Sequence, residues 1–262
     1  MTAFQVLVKK EGIQLIRELK VIWLPIVFIL LGMTQPLVTY YLPSILGALG
    51  SGKGITIDPV LSAQQGGEVL AGTLGSQFDQ LGLIILAISM MGIIQTEKGS
   101  GMLAFILTRP VTVRSYLTGK IATHYSMAAF SVSIGYFVSY LYVTFLYTKV
   151  PFSLMIASLL LYLVWILFVT SFITMLSALF NTQSMIALLA IVLLIGFRML
   201  AGISPLIDLI NPASMSKLAM EMLINGSVPS GTLAHTLVTL LWILLILLAT
   251  HHWISSKKIN AE

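Results

Sequence analysis

The sequence predicts an all-α integral membrane protein with six transmembrane helices. Three observations carry that. Hydrophobic residues make up 58% of the 262 residues, charged residues only 9%, and the mean hydropathy is +1.00; a soluble domain carries roughly 25% charged residues. Six runs reach the ~20 apolar residues that a membrane helix needs: 21–42, 78–94, 121–147, 152–180, 184–200 and 232–253. Lysines and arginines crowd the polar intervals on one side. If both ends lie inside, Lys9, Lys10, Arg17, Lys20, Lys98, Arg109, Arg114, Lys120, Lys257 and Lys258 are cytoplasmic, against Lys53, Lys149, Arg198 and Lys217 outside. That bias sets the orientation. The chain reads as one membrane domain over 21–262, with no room for a soluble catalytic domain.

Residues 1–20 read as a cytoplasmic helix lying on the inner leaflet. Lys9, Lys10, Arg17 and Lys20 share about one third of a helical wheel, and Phe4, Leu7, Val8, Leu15 and Leu19 gather on another side. Glu11 and Glu18 intrude on the apolar side. They are either solvated or turned toward a partner. No cleavable signal is evident, because the apolar run from Val21 is long and no small-residue cleavage site follows it.

Pro25 and Pro36 in the first span are tolerable kinks in a membrane helix. The outer segment 43–77 is glycine- and serine-rich, then partly helical around 61–74. Within it, G-A-L-G-S-G-K-G (47–54) nearly spells a phosphate-binding loop. The motif needs Ser or Thr after the lysine, and Gly54 stands there. It also needs a strand before it, and an apolar helix precedes it. A flexible linker is the better reading. Asp79 opens the second span and, like any intramembrane charge, is a functional candidate by default. Snorkelling to the interface is the plainer account.

The interval 95–120 is dense in helix-boundary signals. Gly99, Ser100 and Gly101 break the preceding helix. Met102, Leu103, Phe105 and Ile106 then follow i, i+1, i+3, i+4 spacing, which gathers four apolar side chains on one face of a short helix. Pro110 ends it by pushing Arg109 out of the α region. Thr112 is placed to cap the next helix. A short amphipathic helix slung between two spans cannot bury its apolar face alone; it rests on headgroups or docks into another protein.

His124 lies early in span three. Thr170, Ser171, Thr174 and Ser177 along span four suit packing and hydrogen bonding, or an interface between two copies. Arg198 ends span five, with Asp208 ten residues on. Arg198 and Asp208 are candidates for a polar translocation path; the alternative for Arg198 is snorkelling. The segment 201–231 is too apolar for a plain loop: Leu206, Ile207, Leu209 and Ile210 stand between Pro205 and Pro212, and 214–224 reads as a helix ended by Asn225-Gly226. A re-entrant or interfacial element fits. His235, His251 and His252 sit near the two ends of span six. They do not converge with His124, so no metal site is expected. With no cysteine there is no thiol nucleophile or thiolate site. The net charge of +5 reports topology and anionic lipid rather than nucleic acid. Tyr40, Tyr41, Tyr147, Trp23 and Trp253 form an aromatic belt.

Glu97-Lys98-Gly99-Ser100-Gly101, then Leu107-Thr108-Arg109-Pro110-Val111, then Tyr116-Leu117 and Gly119-Lys120, resembles the cytoplasmic loop of ABC-2 type transporter permeases. Outside this loop the resemblance is one of length and six-span layout. It implies that the loop is a coupling helix inserted into a cleft of a separate ATP-binding subunit, with Glu97, Gly101, Met102, Leu103, Phe105, Ile106 and Arg109 at the contact. It also implies re-entrant helices before the last span, a second permease copy or a sister permease, and outward transport across the cell membrane. No cofactor is expected in this chain, with ATP and magnesium held by the partner. The weakly charged spans suit a hydrophobic or amphipathic substrate. A non-transporting anchor or sensor subunit of such a complex is the other reading. A stand-alone secondary carrier would show intramembrane acids in inverted repeats.

Overall fold

The computed structural model describes residues 3–50, 65–107 and 112–259. Arg109, with Thr108, Pro110 and Val111, lies outside the described residues, as does the 51–54 portion of the glycine-rich run. Among the described residues, six helices are long and apolar enough to cross a membrane.

Helix α1 (Ala3–Arg17) is followed by an elbow in which Leu19 takes the left-handed conformation (φ 56°). That geometry commonly ends a helix. Helix α2 (Lys20–Gly50) then runs unbroken through Pro25, Pro36 and Pro43, so the first long helix outlasts the apolar run 21–42. The second long helix begins at Gly66 rather than near Phe78. It is built from α3 (Gly66–Gly72), a π-helical stretch (Thr73–Gly82), α4 (Leu83–Met90), a turn, and α5 (Gln95–Gly99). Its early polar residues find partners inside the bundle: Thr73 bonds Ser139 (2.8 Å) and Ser76 bonds Gln35 (2.9 Å).

The short helix α6 (Met102–Leu107) precedes α7 (Val113–Leu146). Thr112 caps α7 as expected, accepting from the Ser115 N–H at 3.2 Å. Helix α8 (Phe152–Leu179) is the spine, packed on α7, on α9 (Gln183–Leu200), on α11 (Ser214–Asn225) and on α12 (Thr232–Ile259). Trp165, Phe168 and Phe172 stack along it, and Phe197 of α9 meets the last two edge-on. Thr170, Ser171, Thr174 and Ser177 are buried within this chain. The first three bond carbonyls one turn back, so packing is the role they fill here.

Between α9 and α12 lie α10 (Pro205–Ile210) and α11. The latter is mostly buried against α3 and α8 and ends at Gly226 with φ 68°, as the Asn225-Gly226 signal implied.

The most extensive contact joins α2 to α7. Small residues let membrane helices approach this closely. A Cβ on Gly32 would stand 2.1 Å from the Gly135 carbonyl oxygen, and one on Gly135 would stand 2.3 Å from that of Phe28. Gly135→Ala must therefore push the two helix backbones apart. It is expected to cost about 1–3 kcal/mol, read as a lower Tm in detergent. Gly196→Ala, with nothing within 4 Å of its new carbon, is the matched control.

Candidate functional site

The root of the 95–107 loop is held from three sides. Glu97 is buried. Its Oε1 accepts from Lys10 of α1 and its Oε2 accepts from the Tyr116 hydroxyl at 2.6 Å. Lys120, also buried, reaches Glu97 at 3.2 Å and Glu11 at 2.9 Å. His124 Nε2 stands 3.6 Å from the other oxygen of Glu11. Two carboxylates thus face two ammonium groups, a charge balance that a buried cluster requires.

Burial opposes ionisation of Glu11, but the bond from His124 and the charge and bond of Lys120 outweigh it and hold its carboxyl down at about 2. Lys10 is raised: burial pulls it down, and its bond to Glu97 more than offsets this.

After α1 and α7, the third side is the end of α8. Ser177 Oγ accepts from the Ile94 and Gln95 N–H groups, each at 3.0 Å, and donates to the Met91 carbonyl at 3.0 Å. One hydroxyl therefore splices the turn between α4 and α5. Lys98 Nζ donates to the carbonyls of Ala178, Leu179 and Phe180 at 3.1–3.4 Å. A cation on the last carbonyls of a helix satisfies them and complements its dipole.

Beyond this root, Gly101 turns the chain at φ 75°, a conformation open to glycine. The four apolar residues of α6 then divide. Leu103 and Ile106 rest against the core, while Met102 and Phe105 remain 47% and 55% exposed. Glu97, placed by sequence at a partner contact, is satisfied inside the chain.

A second network lies farther along the bundle. Asp79, in the π-helical stretch, is 1% exposed. Its Oδ2 accepts from Arg198 Nε at 2.6 Å and from the Ser216 hydroxyl; its Oδ1 accepts from the Tyr162 hydroxyl at 3.0 Å. Four elements meet there: the π stretch, α8, α9 and α11. Arg198 and Asp208 are not brought together. Asp208 pairs with Lys217 at 2.7 Å and accepts from the Gly202 N–H at 2.6 Å. These partners lower its pKa against the opposing effect of burial.

Spans four, five and six also line an open cleft of about 460 Å³, walled by Phe168, Phe172, Phe197, Trp242 and Ile246, with Ile207 of α10. Its polar lining groups are already engaged. Trp242 Nε1 donates to the Ile210 carbonyl and Asn211 Nδ2 to the Phe197 carbonyl.

Sequence reasoning gives Lys120, Tyr116 and His124 no place in this network, and it leaves Glu11 solvated or facing a partner. The available signal is Glu11 itself, a charge on the apolar side of a helix, which requires an internal counter-ion if that side is buried. Asp79 and Arg198 carry a similar signal: two opposite charges within apolar runs of one chain.

Comparison with known proteins agrees with this architecture. A family model described as ABC-2 family transporter protein matches residues 5–253. An uncharacterized transmembrane protein of Bacillus subtilis (strain 168), YxlG, is 36% identical over 174 residues, 65% of this chain and 66% of that protein. The match thus spans just under two thirds of that relative's length.

Proposed function

Since the chain belongs to the ABC-2 transporter family and is a multi-pass membrane permease, we propose that it forms half of the translocation path of an ATP-binding cassette exporter. A second copy or a sister permease supplies the other half, and separate subunits hold ATP and magnesium. The observation that carries this reading is the build of the loop. Its root is fixed by Glu97, Lys98 and Ser177, while Met102 and Phe105 are held outward on a helix only six residues long. A rigid base with an exposed apolar tip suits insertion into a cleft of a partner.

In this mechanism Met102 and Phe105 enter the ATPase cleft, and Leu103 and Ile106 join the tip to the bundle. Glu97 acts from behind, as a positioning residue. Closure of the ATPases pushes the loop, and the push reaches spans two and three, which leave it on either side. Nucleotide must favour one permease state by several kcal/mol to drive the switch. The apolar cleft of spans four, five and six supports a substrate with a hydrophobic moiety, moved outward across the cell membrane with both termini inside.

The chain has no cysteine, so Phe105→Cys gives a single attachment point. Crosslinking in native membranes is expected to capture an ATP-binding cassette subunit, with a yield that changes on adding nucleotide. A residue that stays open to a soluble reagent and captures lipid or nothing would instead support an anchor or sensor role.

A further inference from the structure

Part of the apolar side of α1 is turned onto protein, while Phe4 and Leu19 at its two ends stay exposed. Leu7, Glu11 and Leu15, spaced i, i+4, i+8, are buried where α1 packs on α7. The opposite arc is exposed, and there Lys9 and Arg17 are interleaved with Val6, Ile13 and Ile16, which are 52%, 43% and 61% exposed. Lys10 flanks the arc but is bonded to Glu97. Lys9 and Arg17 make no ion pair among the described residues. The arc ends at the Leu19 elbow, next to the start of the first membrane-length helix at Lys20. It is therefore tethered at the edge of the bilayer, where hydrocarbon gives way to water.

A surface that offers cations and aliphatic side chains side by side, at that edge, is complementary to an anionic phospholipid headgroup. Phosphate meets Lys9 and Arg17, and the glycerol and upper acyl region meets Val6, Ile13 and Ile16. We propose that the exposed arc of α1 docks on anionic phospholipid headgroups, and that lipid held there presses α1 onto α7 and keeps Glu11 seated on Lys120. The docking depends on membrane insertion alone. Its link to the loop, through Lys10 and Glu97, rests on the coupling reading.

The test uses the whole chain with Ile13→Cys carrying an environment-sensitive fluorophore, in nanodiscs of phosphatidylcholine alone or with roughly one third phosphatidylglycerol. Anionic discs are expected to shield the probe from acrylamide, a neutral quencher. At about five-fold per basic residue near an anionic surface, Lys9→Gln with Arg17→Gln is expected to remove about 25-fold of the bound population and restore quenching. Salt at ~1 M is expected to do the same, since it shortens the Debye length to about 3 Å. A probe on Leu30→Cys, exposed on α2 well within the span, should be shielded equally in both discs. Equal quenching of the Ile13 probe in the two discs would overturn the proposal, and that comparison needs no charge variant to fold. Shielding that appears only when an ATP-binding subunit is added would also overturn it and make the arc a protein contact. Capture at Phe105 is read separately, so failure here leaves the coupling reading untouched.

Discussion

Asp79→Ala is expected to destabilise the bundle by about 3–5 kcal/mol, the cost of stripping a buried pair of one partner. The substitution removes the acceptor for Arg198, Ser216 and Tyr162 together, so three donors on three different helices lose their common oxygen atoms. The measurement is the thermal midpoint in detergent. Asp79→Asn keeps acceptor capacity but loses the charge, and should fall between the wild type and alanine. Asp79→Ala combined with Arg198→Met should recover much of the loss, because the double change leaves no unpaired charge behind. If Arg198→Met alone were as harmless as a surface substitution, the pair would not be holding α9 to the π-helical stretch.

Glu97→Ala is expected to act locally. Lys120 keeps Glu11 at 2.9 Å, but Lys10 and the Tyr116 hydroxyl lose their acceptor on the loop. A loss of about 3 kcal/mol at the root corresponds to an increase on the order of a hundred-fold in local opening. Hydrogen exchange over residues 95–107 is the readout. Exchange in the middle of α8 should stay near its wild-type rate, and an equal rise there would mean general unfolding. Acid should loosen the same root through its neighbour. Folding holds Glu11 at about 2, below its ordinary 4.5. A depressed carboxyl stabilises fully above its unfolded value, so the contribution of Glu11 is complete above about pH 4.5 and fades as pH falls through about 2.

The six-helix layout is legible because hydropathy over some twenty residues is set by composition alone. What escapes is polarity resolved within the fold. The second long helix begins at Gly66, but Glu68, Thr73, Ser76 and Gln77 lower the local hydropathy and make 66–77 look like loop. Glu68 caps its own helix at Gln65, and the side chains of Thr73, Ser76 and Gln77 find Ser139 and Gln35 on helices 41 or more residues away in sequence. The loop helix is legible as an element, yet its four apolar residues share an arc too wide for one contact, so Leu103 and Ile106 turn inward. In α1, the side richest in leucine reads as a lipid face. Leu7 and Leu15 on that side face protein, and Glu11 between them is the residue that distinguishes the two, since lipid offers a carboxylate nothing and Lys120 offers it a charge. The helix end at Asn225-Gly226 is legible without its surroundings, because a left-handed glycine stop is a local device.

The π-helical stretch Thr73–Gly82 also makes the second span two rotors in series. A π turn spends an extra residue per revolution, so side chains beyond Gly82 stand at an azimuth that a continuous α-helix would not give them. Asp79 lies within the stretch and Glu97 beyond it. Each must point at its own cation, Arg198 or Lys120, on different helices. Excising one residue from the stretch would swing everything downstream by about 100°, so that one of the two carboxylates would face away from its partner. The widened turn thus sets the phase between the polar knot in the bundle and the anchor of the loop.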